Sequence, residues 1–190
     1  GIYSGTVRFT NLTSGIGVGR QFLLRVGQPD YFTEWFEAGD NDLAFSTLTF
    51  TPNGSASFYA ACREVATNFP TDPAGGTFVS LTDDSYAQIT LTGTNTVALY
   101  NRRNKVLFIG SNGYLTMDAG DSMMVESLND HFNRPRVAAL FDDLNPLAGG
   151  TVSWIQATNR VAITFQNVPE YEAFGANSFQ IEMFFDGRIR

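Results

Sequence analysis

The chain is poor in the residues that carry most chemistry. It has one cysteine, Cys62, one histidine, His131, and one lysine, Lys105, in 190 residues. A lone cysteine excludes an internal disulfide framework and the multi-thiolate zinc sites. It reads as a small buried apolar residue. A single histidine excludes histidine-rich metal binding, and any Ser-His-Asp or Cys-His machinery would have to use His131. Ser122 lies nearby but lacks the G-x-S-x-G elbow, so His131 reads as a loop histidine. Neither a P-loop nor a dinucleotide fingerprint is present.

Charge is also scarce, at 16%, and it is unbalanced, with a net charge of -7. The arginines are scattered, which leaves no basic surface for counterion release, so nucleic acid is not an expected partner. No apolar run approaches the roughly 18–20 residues that a bilayer span needs. The sequence starts at Gly1 without signal peptide or initiating methionine and reads as a mature fragment of a longer protein.

What is abundant is aromatic and β-branched residue in period-2 alternation, with 43% hydrophobic residues overall. Val7 and Phe9 alternate with polar neighbours, as do Phe22, Leu24 and Val26. A Gly-Pro break then precedes "DYFTEWF", which places a boundary after residue 27. Residues 1–27 supply too few strands to stand alone. They read as edge strands, or as the end of a preceding domain. Residues 28–190 read as a β-sandwich module.

In that module "STLTFTPNGSASFYAAC" predicts a hairpin around a "PNG" turn, with a helix over 55–66 as the alternative. Strands follow in "GGTFVSL", "YAQITLTG", "TVALY", "KVLFIGSNGYLTM", "RVAALF", "GTVSWIQ", "NRVAITFQNV" and "NSFQIEMFFDGRIR". Short turns separate them: "TDD", "GTN", "NRRN", "SNG", "NPLAGG" and "ATN". The pattern predicts an all-β fold, a two-sheet antiparallel β-sandwich of jelly-roll type with few or no helices. Val161, Ile163 and Phe165 share a face, as do Phe179, Ile181, Met183 and Phe185, so each strand is expected to bury one face. Asp186-Gly187 is a strong hairpin signal, and the return strand "RIR" stops at Arg190, as if the chain were cut within its last hairpin.

The ordered set "SNGYL", "FDDLNP", a "W" strand and a final "F-Q-x-x-x-F-x-DG-x-I" hairpin resembles a β-sandwich module of secreted bacterial proteins, related to nidogen-type (NIDO-like) extracellular domains of adhesion proteins. The resemblance spans residues 97–190. Residues 1–27 are similar to the last two strands of an immunoglobulin-like domain of the BACON kind. Together the resemblances imply a secreted or cell-surface protein and a non-catalytic accessory module. Its expected partners are polysaccharide or cell-surface glycan, and neighbouring domains of the same chain.

The candidate site is "FDDLNP", where an apolar run stops on two acids. On an extended strand Asp142 and Asp143 would point to opposite faces and could not share a glycosidic bond as acid and base. Asp40, Asp42, Asp83, Asp84, Asp118, Asp121 and Glu182 are further carboxylates, with nothing in the sequence to pair them. "GDNDLA" lacks the glycine and terminal glutamate of an EF-hand. A calcium site built from Asp142, Asp143 and Asn145 remains, beside the alternative that these residues only cap a loop through Asx-type bonds. Tyr31, Trp35 and Trp154 are candidate sugar-stacking residues, with packing as their alternative. The rival to a binding module is a jelly-roll polysaccharide lyase or glycoside hydrolase. Most strand faces, however, carry Thr, Ser and Gln rather than the Tyr, Arg, Lys, His and Glu set such a cleft requires.

Overall fold

A computed structural model of the chain describes residues 2–25, 32–37, 39–54, 58–172 and 175–190. The chain divides into two units, Gly1–Glu34 and Trp35–Arg190. In the first, β1 (Ile2–Thr10) and β2 (Gly17–Arg25) pair antiparallel in unbroken register from Ile2↔Arg25 to Thr10↔Gly17. The turn closes on Asn11, whose Oδ1 accepts from Thr13 N and Ser14 N.

The second unit holds β3 (Ser46–Pro52), β4 (Tyr59–Val65), β5 (Thr77–Phe78), β6 (Tyr86–Thr90), β7 (Val97–Leu99), β8 (Arg102–Asn104), β9 (Val106–Gly110) and β10 (Tyr114–Thr116). They are followed by α1 (Leu128–Phe132), β11 (Arg136–Ala138), β12 (Thr151–Gln156), β13 (Arg160–Pro169) and β14 (Ala176–Phe184). One sheet has the order β11-β10-β9-β6 and the other β14-β13-β12-β5, every pairing antiparallel. The fold is the expected all-β sandwich. Ile89, Leu107, Ile109 and Leu115 of the first sheet and Val161, Ile163, Phe165, Ile181 and Met183 of the second form its core. Each such side chain contributes about 1.5–3 kcal/mol by leaving water.

The hairpin reading of residues 46–65 holds: β3 and β4 pair from Ser46↔Val65 to Pro52↔Tyr59, with no helix there among the described residues. The Asp186-Gly187 turn also forms, with Gly187 at φ +98 and Phe184 N donating to Arg188 O. Ile189 then bridges Met183 on one side and Phe50 on the other, which joins the β3–β4 hairpin to the second sheet.

Cys62, read as a buried residue, is exposed in β4, and four further local expectations fail for identifiable reasons. β13 and β14 bury both faces: Thr164 and Glu182 are as inaccessible as the apolar set. The loop at Thr71 covers this second face, exchanging bonds with Gln180 (Thr71 N to Gln180 Oε1, 2.9 Å; Gln180 Nε2 to Thr71 O, 2.8 Å). Glu182 is neutralised there by Arg160 at 3.0 Å and Arg190 at 3.4 Å. The strand expected through "RVAALF" ends at Ala138, because its partner β10 is only three residues long and begins straight after the Asn112-Gly113 turn. "NRRN" is a strand and not a turn: Tyr100 and Asn101 make the turn at positive φ, and Arg102–Asn104 is β8. Finally, His131 lies in α1, a five-residue helix capped by Ser127, whose Oγ accepts from Asp130 N.

Candidate metal centre

The "SNG" turn between β9 and β10 organises one end of the sandwich. Gly113 has φ +79, and a Cβ there would fall on the Leu140 carbonyl oxygen, so only glycine fits. The turn leaves Ser111 and Asn112 fully buried. Ser111 N donates to Ser85 O (2.8 Å) and Ser111 Oγ accepts from Ser85 N (3.0 Å), which docks the loop preceding β6. That loop is closed internally by Thr82 N donating to Ser85 Oγ (2.8 Å), with Asp84 at φ +45.

Asn112 uses its whole amide. Nδ2 donates to Asp84 Oδ1 (2.9 Å) and to Met123 O (3.1 Å), and Oδ1 accepts from Leu144 N (3.0 Å). One buried side chain therefore ties together "TDDS", the loop at Met123 and "FDDLNP". The Met123 loop is held further by Tyr114 Oη, which donates to Met123 O (3.0 Å), and by Met123 N, which donates to Asp121 Oδ1 (3.1 Å). Asp121 in turn pairs with Arg136, whose guanidinium lies 4.2 Å from the Tyr114 ring centroid and 4.5 Å from that of Phe141.

Asp142 and Asp143 consequently stand in a loop, so the strand argument for opposite faces does not apply to them. Leu144 is buried and bridges Glu170, Asp143 O accepts from Tyr171 N (2.7 Å), and Asn145 N donates to Pro169 O (2.9 Å). This anchoring brings the Asp143 carboxylate to Asp83 and Asp84, with one oxygen from each lying within 4.8 Å of the others. The other two predicted ligands turn elsewhere. Asp142 Oδ1 accepts from Asp143 N (2.9 Å), and Asn145 Oδ1 accepts from Leu147 N and Ala148 N (3.1 Å each), an Asx turn.

Only some of the acids are paired with arginine. Asp42, Asp118, Asp121, Glu182 and Asp186 each have an arginine partner. Asp83, Asp84 and Asp143 have none within ion-pair distance among the described residues. Asp83 Oδ1 and Asp143 Oδ1 are also buried without a hydrogen-bond donor. Desolvation, followed by the charges of Asp84, Asp83, Glu126 and Asp142, pushes the Asp143 carboxyl above the usual range. Desolvation and Asp84 do the same to Asp83. Every charged neighbour acting on Asp143 is an acid, an arrangement whose repulsion a bound cation would relieve.

Of the candidate sugar contacts, Trp154 is half-buried in β12, opposite Ile163 and Thr77. Trp35 is exposed, and Tyr31 lies outside the described residues. Asn112 carried no signal as a site residue beyond its place in an "SNG" turn. Asp83 and Asp84 were visible as acids in a turn, but their partner is 59 residues away from Asp84 in sequence (143 − 84). Among the described residues no helix is long and apolar enough to cross a membrane. Comparison with protein-family models, curated proteins and solved structures finds no match.

Proposed function

We propose that the chain is a non-catalytic β-sandwich module of a secreted or cell-surface protein, and that it binds one calcium ion through Asp83, Asp84 and Asp143 to fix a loop end used for glycan attachment. The observation carrying this reading is the convergence of three carboxylates, two of which, Asp83 and Asp143, have a buried oxygen without a hydrogen-bond donor, while no ion pair reaches any of the three among the described residues. Calcium bonds to oxygen are about 2.3–2.6 Å long, so ligands on one ion stand at most about 5 Å apart. The 4.8 Å limit on the trio satisfies that condition. Loop carbonyls and water would complete the shell. The resemblance of residues 97–190 to nidogen-type domains supports an extracellular setting, where calcium is plentiful, and the acidic net charge agrees with a cation ligand.

The attachment role is tested by affinity electrophoresis of the full chain through gels containing neutral and acidic polysaccharides, run with calcium and with chelator. Calcium-dependent retardation in at least one gel is expected. Equal mobility in every gel, with the calcium site loaded, would remove glycan attachment from the reading.

A further inference from the structure

A small pocket lies where three turns meet: the end of the β3–β4 hairpin, the Tyr100-Asn101 turn between β7 and β8, and the Asp186-Gly187 turn. Its volume is about 70 Å³. Tyr59, Ala98 and Gly187 are buried and make its floor, whereas Asn101, Arg103 and Asp186 are exposed and make its rim. Gly187 keeps the floor open. A Cβ there would stand 3.2 Å from Pro52 Cγ and 4.0 Å from Ala98 Cβ, and both of those residues line the pocket.

The backbone around this space is held in a costly shape. Phe58, which also lines the pocket, Tyr100 and Asn101 all have positive φ (+67, +46 and +64), a region that bulky residues avoid. A two-residue hairpin turn with both φ values positive is ordinarily Asn-Gly. Here a tyrosine takes the first place. Its ring packs edge-on against Phe58 and Tyr59 at 5.3 Å each, and Tyr100 N donates to Tyr59 Oη (3.0 Å). Strain of this kind persists only where the surroundings over-determine it, and it gathers at ligand clamps. The packing sets Phe58 and Tyr59 as pocket walls and carries Asn101 to the rim.

We propose that the pocket binds one edge of a pyranose unit of a neutral glycan. This goes beyond the calcium site and shares with it only the class of ligand. Adjacent sugar hydroxyls donate and accept at once, and the rim answers both: Arg103 donates, Asp186 accepts and Asn101 does either. Asp186 is oriented by Arg188, whose N and Nε donate to it (3.1 and 2.9 Å), which leaves lone pairs on both oxygens. Phe58 and Tyr59 offer apolar ring surface to the C–H groups of the sugar. Size sets the mode of binding. One water takes roughly 10–15 Å³ on this scale, so there is room for about five waters, enough for one edge of a sugar ring with the rest outside.

The pocket is remote from the acidic cluster. β14 begins beside that cluster, where Asn177 donates to Glu170 and Glu170 bridges Leu144, and it ends at Phe184 next to the Asp186-Gly187 turn. Its nine residues, at about 3.3 Å each, put on the order of 25 Å between the two sites. Sugar binding here is therefore independent of calcium.

The test is saturation-transfer difference NMR of the full chain with methyl α-mannopyranoside, methyl α-galactopyranoside and methyl β-glucopyranoside at millimolar concentration, in calcium and in chelator. Saturation of neighbouring ring protons of at least one glycoside is expected, equal in both buffers. Asn101→Gly removes the amide while keeping the turn, since glycine suits positive φ, and Arg103→Ala removes a donor from an exposed position. Each should weaken binding at least about fivefold with unfolding curves like the wild type. No saturation of any of the three glycosides, or undiminished binding in both variants, would overturn the proposal. Saturation that vanishes in chelator would also overturn it, by moving the sugar to the acidic cluster. Calcium-independent saturation that is lost in both variants, beside gels without calcium-dependent retardation, would uphold the pocket and remove glycan attachment from the calcium site.

Discussion

Replacing Asn112 by alanine removes the one side chain that holds the three loops of the proposed calcium site. The cost follows from its partners. Leu144 N–H is left buried without an acceptor, about 1–3 kcal/mol. Asp84 loses a donor to its carboxylate, a bond in the class worth about 1.5–3 kcal/mol when buried. Solvent takes over part of that loss because Asp84 is not buried. Met123 O loses little, since it keeps the Tyr114 hydroxyl. The sum is about 2–4 kcal/mol, to be read as a shift of the urea midpoint at constant slope, followed by tryptophan fluorescence. Asn145→Ala is the internal comparison: it loses only an exposed Asx turn and should cost about 1 kcal/mol or less. Equal losses for the two variants, or a loss below about 1 kcal/mol for Asn112→Ala, would refute the claim that Asn112 assembles the site.

Two further outcomes are expected. Gly113→Ala combines positive φ with a collision against the Leu140 carbonyl and should destabilise by at least about 3 kcal/mol, measured by the same unfolding curves; near-wild-type stability would show that the turn can relax. The pH dependence has a defined sign. Asp83 and Asp143 are held above the ordinary aspartate value, so the folded state binds more protons than the unfolded one. In chelator their contribution to stability is full below the ordinary aspartate range and is lost as pH rises through it to the raised values. Calcium should abolish that decline, and identical pH profiles of the melting temperature with and without calcium would contradict it.

The strands were legible because burial on one face prints a period of two, as in Val161, Ile163 and Phe165. What the sequence could not show was where a second layer covers the opposite face. Glu182 looks like a solvent residue until Thr71, Arg160 and Arg190 are brought over it. Strand ends were misread for a related reason: β11 stops where its partner stops, and a partner's length is a long-range property. "FDDLNP" stands out in the sequence as a candidate, yet only Asp143 takes part in the carboxylate cluster, since Asp142 and Asn145 accept bonds from backbone within the loop. Asp83 and Asp84 reach it through Asn112 and Ser111, whose bonds span dozens of residues and leave no periodic trace.

The central claim is that Asp83, Asp84 and Asp143, which no ion pair reaches among the described residues, form one calcium site. Isothermal titration calorimetry of calcium into chelator-treated protein tests it most directly, alongside Asp143→Asn. The account predicts one ion per chain for the wild type and at least about tenfold weaker binding for the variant, with the variant more stable than the wild type in chelator because a repulsive charge has gone. No binding heat at millimolar calcium, with no calcium-dependent change in melting temperature, would contradict it.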